Sequence, residues 1–183
     1  MEVITKEFKV YAYDELSEKA KEFAYDRWYE SQEFGWSREY RDTMRKFCDT
    51  FGIKLRDWSV DTFSYNFSMQ SINIGDELPE GNTKKERVRI VKYLLSLYKS
   101  KLAKNWDSCP FTGFCADCDI LEPFHDIETW KFIPLDIDNF FHECFDRFFS
   151  AWSKDMEYTY SRECFEENYA KDATYLENGA SFI

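Results

Sequence analysis

Histidine, glycine and proline are all scarce in this 183-residue chain, with two, six and four copies. His125 and His142 are the only imidazoles, and no Gly-x-Ser-x-Gly elbow accompanies them, so acyl-transfer catalysis has little support. The glycines (Gly35, Gly52, Gly75, Gly81, Gly113 and Gly179) are scattered, which excludes a phosphate-cradling loop or a dinucleotide fingerprint. His142-Glu143-Cys144 fits neither the zinc-protease pattern, which needs a second histidine, nor the deaminase pattern, which needs His-x-Glu. Long apolar runs are missing too; stretches such as Val10–Tyr13 fall far short of a bilayer span. No basic start leads into an apolar stretch after Met1, so a cytosolic, non-membrane and non-catalytic protein is expected. Neither internal repeats nor a linker is visible, and one α+β domain over 1–183 is the economical expectation.

Aromatics are abundant instead, at 20 % of residues, within 44 % hydrophobic composition. That is enough to build a core despite a net charge of −11. The charge is unevenly placed. Residues 1–115 carry 19 acids and 19 bases, whereas 116–183 carry 16 acids and five bases. An acidic last third of helical character is expected to repel nucleic acid and attract a basic partner, or to serve as a solvated face.

Residues 83–104 run the other way, with eight Lys and Arg against Glu86. Val88, Val91, Leu94, Leu95, Tyr98 and Leu102 follow helical spacing, and Thr83-Lys84-Lys85-Glu86 forms a capping box to start the helix. This basic helix is expected to dock beside the acidic third or to face solvent; tracking a phosphate backbone is the alternative. Elsewhere, Val3–Tyr13 reads as a strand with Phe8 and Val10 on one side. Ser17 and Ser37 read as helix caps, and Gly52 as a helix stop. Lys54–Asp61 and Ser64–Ile74 read as an antiparallel pair, and Gly75–Asn82 as a loop. Helices are expected over Asp138–Trp152 and Ser161–Ala170, and a hairpin at Asn178-Gly179. Several helices on a small antiparallel sheet is thus the expected architecture, with residues 105–134 an irregular Cys-rich loop.

That loop holds Cys109, Cys115 and Cys118 in a C-x5-C-x2-C spacing. In a reducing compartment, clustered thiols point to metal rather than to disulfides. Three thiolates would hold a structural Zn2+ with His125 as the nearest fourth ligand. His142, Cys144, Asp117 and Asp119 are alternatives, and three reduced thiols are the plain reading. Cys144 also fits the apolar stripe of Phe141, Phe145 and Phe148, and reads as core; Cys48 and Cys164 read as buried small hydrophobes.

Asp14-Glu15-Leu16-Ser17 with Lys19-Ala20-Lys21, Ala24 and Trp28 resembles the opening of a family of small phage and prophage proteins of Gram-positive bacteria. Cys109-Pro110-x-Thr112-Gly113 with Asp117 and Asp119 is similar to that family's central loop. Trp152-x-x-Asp155-x-Glu157 and Glu177-Asn178-Gly179 are similar to its C-terminal third. Some members of such families are anti-CRISPR proteins. The resemblance therefore implies a stoichiometric inhibitor of a type II Cas nuclease carrying its guide RNA, acting in the host bacterial cytosol. The basic channel of such a nuclease suits an acidic docking face, for which Asp117, Asp119, Asp136, Asp138 and Glu143 are the leading candidates, together with Glu122, Asp126, Glu128 and Asp146. A nucleic-acid-binding phage regulator using the basic helix, or an antitoxin-like protein plugging a basic toxin, is the alternative. Homodimerisation is left open.

Overall fold

Ser17 and Gly52 show how local chemistry sets the first two helices. The Ser17 Oγ accepts a hydrogen bond (3.3 Å) from the Ala20 N–H and opens α1, Glu18–Ser31. Gly52, at φ +72°, closes α2, Ser37–Phe51, in the left-handed conformation that a side chain disfavours. Trp36, not Ser37, occupies the cap position of α2. The computed structural model describes residues 6–70, 81–102 and 109–182. The start of the strand expected over Val3–Tyr13, the end of that over Ser64–Ile74 and most of the Gly75–Asn82 loop lie outside the described residues, as do residues 103–108.

The chain is α+β. After α2 come β1 (Leu55–Asp61) and β2 (Ser64–Met69), α3 (Lys84–Leu102), α4 (Ala116–Glu128), α5 (Ile137–Thr159), α6 (Arg162–Asn168), and the short strands β3 (Thr174–Tyr175) and β4 (Ser181–Phe182). β1 and β2 form one antiparallel hairpin, with Trp58 opposite Phe67 and Val60 opposite Tyr65. β3 and β4 form another around Asn178-Gly179. Among the described residues no helix is long and apolar enough to cross a membrane.

Two sequence expectations are corrected. Within its described part, the first strand forms no ladder: Tyr11 alone pairs, with Tyr175, Phe8 and Val10 are exposed, and Tyr13 opens a 3-10 turn, Tyr13–Glu15. Its partner β3 is two residues long and offers no longer ladder. The middle of the expected irregular loop is helix α4, because Ala116, Ile120, Leu121, Phe124 and Ile127 form a buried stripe. That burial outweighs the hydrogen bond which Pro123 removes inside the helix.

The chain divides into two compact units. One joins the residues up to Phe34 with those from Asp155 onward. Here Ala20 and Ala24 of α1 pack with Tyr13, Leu16, Phe165, Ala170 and Tyr175. The Tyr13 hydroxyl donates to Glu166 Oε1 (3.1 Å); burial, then that carboxylate, push its pKa up to about 12.

The other unit is Gly35–Lys154, and its core is aromatic. Along α5, Phe140, Phe141, Phe145, Phe148, Phe149 and Trp152 are all buried, with Cys144 among them. Tyr40 of α2 stacks on Trp152 with ring centroids 4.8 Å apart, and Phe124 of α4 meets Phe140 edge-on at 4.7 Å. Trp58, Tyr65 and Phe67 of the hairpin lie on Phe149, and Ser153 Oγ donates to the Asp61 carbonyl (2.7 Å).

The end of α4 carries an unusual residue. Lys131 N–H donates to the Asp126 carbonyl (2.9 Å) and Trp130 N–H to the Ile127 carbonyl (3.4 Å), the hydrogen bonds of a Schellman turn. Trp130 takes the left-handed position (φ +59°) where glycine is favoured, yet the residue is 54 % exposed. Trp130→Gly is expected to raise stability by about 0.5–1 kcal/mol, seen as a higher thermal midpoint. A lowered midpoint would mean that indole packing outweighs the backbone gain.

Candidate functional site

The acidic residues of α4 and α5 meet around one cation. Glu122 and Asp126 lie four apart on α4, and Glu143 and Arg147 four apart on α5, so each pair shares a helix face. Arg147 Nη1 reaches Asp126 Oδ2 (2.7 Å) and Glu122 Oε2 (3.0 Å), while its Nε donates to Glu143 Oε1 (2.8 Å). Burial by itself would lower the guanidinium pKa, but hydrogen bonds to Glu143, Asp126 and Glu122 outweigh it and raise the value. Three carboxylates on one guanidinium leave this cluster two negative charges in excess.

The acids named from sequence take different roles. Asp136 is exposed, and its Oδ1 accepts from the Asn139 N–H (2.7 Å), which caps α5. Asp138 is exposed in the first turn of α5, where the helix dipole favours an acid. Asp119 is half-buried. Asp146 accepts from the Tyr65 hydroxyl (3.0 Å); burial, then this bond, raise the Tyr65 pKa.

Asp117 is not a surface acid at all. It is fully buried, and its Oδ2 accepts from the Phe111 and Thr112 N–H groups, both at 2.7 Å. Its Oδ1 accepts from the hydroxyls of Thr43 (2.6 Å) and Thr112 (2.9 Å). Asp117 thus ties the Cys109–Phe114 turn to α2 and cannot meet a partner.

Within the thiol set, Cys109 and Cys118 come together, sulfur to sulfur, at 3.6 Å. Two thiolates on one tetrahedral zinc, each at about 2.3 Å, would stand about 3.8 Å apart, so this pair suits two ligand positions. Cys115 is exposed. His125 lies seven residues beyond Cys118 on α4, about 10.5 Å along the axis, too far to share its ion. Among the described residues no three His, Cys, Asp or Glu side chains form a metal-holding group.

Two depressions accompany these features. A cleft of about 380 Å³ lies between β2 and the start of α5, lined by Phe67, Met69, Gln70, Asp138, Asn139 and His142. The His142 ring sits 4.6 Å from that of Phe67. In the other unit, a groove of about 800 Å³ is walled by Trp28, Phe165, Tyr169 and Tyr175, with Arg27 at its side.

No protein-family model, curated protein or solved structure matches the chain. The site therefore rests on its own geometry. Arg147 went unnoticed in sequence as one of five bases in the acidic third, although the four-residue spacing to Glu143 marks it as an ion-pair centre.

Proposed function

We propose that the chain is a non-catalytic inhibitor of the anti-CRISPR kind, which binds a type II guide-loaded Cas nuclease stoichiometrically in the host cytosol. The acidic surface of α4 and α5 docks on a basic channel of the nuclease and interferes with target DNA loading or cleavage. The observation that supports this reading is the excess of carboxylates that Glu122, Asp126 and Glu143 gather around Arg147, within a third of the chain that exposes Glu128, Asp136 and Asp138 as well. Held by Arg147, the carboxylates of Glu122, Asp126 and Glu143 are preorganised for a basic surface, and the capping contact fixes Asp136.

The test is a DNA cleavage assay over a panel of type II nucleases, with this protein added before or after target DNA. Inhibition near one-to-one stoichiometry is expected. Glu122→Lys, Glu128→Lys and Asp138→Lys together avoid the Asp136 cap and the buried Asp117. They are expected to slow association at least 10-fold at low salt and to flatten its salt dependence. An unchanged association rate would remove the acidic face from the reading. Inhibition of no nuclease in the panel would remove the nuclease.

A further inference from the structure

Helix α3 docks through its apolar side. Ile90, Val91, Leu94 and Tyr98 are buried, and the Tyr98 ring lies 4.7 Å from that of Phe124 on α4. The cations of α3 take no part in that contact. Lys84, Lys85, Arg89, Lys92, Lys99 and Lys101 are all exposed, and among the described residues none makes an ion pair. Lys21, Arg27, Arg45, Arg147 and Arg162, by contrast, each sit in one. The helix thus lies beside α4 of the acidic third, as its sequence led one to expect, but through apolar contacts, with its cations left facing solvent.

Lys85, Arg89, Lys92, Ser96 and Lys99 follow one another at four, three, four and three residues, which aligns them along one side of the helix. From Lys85 to Lys99 the stripe runs about 21 Å at 1.5 Å per residue. We propose that this stripe is a second binding surface, one that takes the phosphate backbone of a nucleic-acid duplex without reading its sequence.

Two observations favour a duplex over other polyanions. Stacking platforms, on which single-strand binders rely, are missing: no exposed large aromatic or aliphatic side chain belongs to α3. A lipid surface would need an apolar face to insert, and that of α3 is committed to the core. The chain's negative charge does not forbid the contact, because screening over about 8 Å at physiological ionic strength separates the α3 stripe from more distant acids.

The experiment is fluorescence anisotropy of a labelled 20-base-pair DNA duplex with the full chain, from 50 to 200 mM salt. Four neutralised phosphates give a log–log salt slope of about −3 to −4, so affinity should fall on the order of 100-fold across that range. Neutralising Lys85, Arg89, Lys92 and Lys99 to Gln should abolish most of the binding and flatten the slope. These side chains are exposed, so circular dichroism and the thermal midpoint should not change. Lys54→Gln with Arg56→Gln, exposed cations near the β1–β2 hairpin, should leave binding within two-fold. The proposal is overturned by no binding at 50 mM salt, by equal binding of the α3 variant, or by capture on anionic lipid vesicles in place of DNA. The assay contains no nuclease, so it stands or falls apart from the inhibitor reading.

Discussion

Asp117→Ala is expected to destabilise the protein by about 3–5 kcal/mol, a fall in thermal midpoint on the order of 10 °C. The size follows from what the carboxylate holds. Four donors converge on it: the N–H groups of Phe111 and Thr112 and the hydroxyls of Thr43 and Thr112. Alanine leaves them facing a buried cavity, and each unsatisfied group costs about 1–3 kcal/mol, less where water enters. Asp117→Asn is the sharper variant, because it keeps the shape but places an NH2 against donors. Thr43→Val removes one donor and should cost only about 1 kcal/mol. Urea unfolding of the three variants checks the order; equal values for Thr43→Val and Asp117→Ala would show that the network is not centred on Asp117.

Gly81→Ala is expected to have a comparable effect, at least about 3 kcal/mol, for a steric reason. A Cβ there would lie 1.6 Å from the Leu135 carbonyl oxygen and 2.8 Å from its carbon, both backbone atoms with no rotamer to escape into. Gly81 also sits at φ +72°, and its carbonyl accepts from Arg87 Nε (2.8 Å). The start of α3 must therefore move off the α4–α5 connection. Gly52 supplies the control, since it has the same φ of +72° but nothing within 4 Å of its added carbon. Gly52→Ala should cost only about 1 kcal/mol, the backbone share alone. Hydrogen exchange should show faster opening over Thr83–Arg89 in Gly81→Ala and not in Gly52→Ala. Matching costs for the two would show that the α3 start yields freely.

These two sites also show what the sequence carried and what it hid. The Thr83–Glu86 capping box was legible and is formed in both directions, Thr83 N–H to Glu86 Oε2 and Glu86 N–H to Thr83 Oγ1. The aromatic stripe of α5 was legible too, because 3.6-residue spacing and strong burial coincide there. Helix α4 was obscured by Pro123 and by cysteines that drew attention to metal, while its apolar spacing from Ala116 to Ile127 was present throughout. Asp117 lies three, four and seven residues before Ile120, Leu121 and Phe124, on the buried side. Helical periodicity thus contained its position, but total charge did not. What no local pattern could give is the long-range pairing, such as Arg147 with Asp126 or Thr43 with Asp117, since each joins residues from separate helices.

The division of the chain has a consequence for its synthesis. One unit combines residues up to Phe34 with residues from Asp155 onward, with the other unit between them. At about 5–20 residues per second, Tyr11 leaves the ribosome on the order of ten seconds before its pairing partner Tyr175. Gly35–Lys154 can condense first, while Tyr13, Tyr25 and Trp28 wait for Phe165 and Tyr175 to cover them. A ribosome stalled before Phe165 would thus release a chain with its larger unit complete and an uncovered aromatic α1, a form suited to capture by chaperones or proteases.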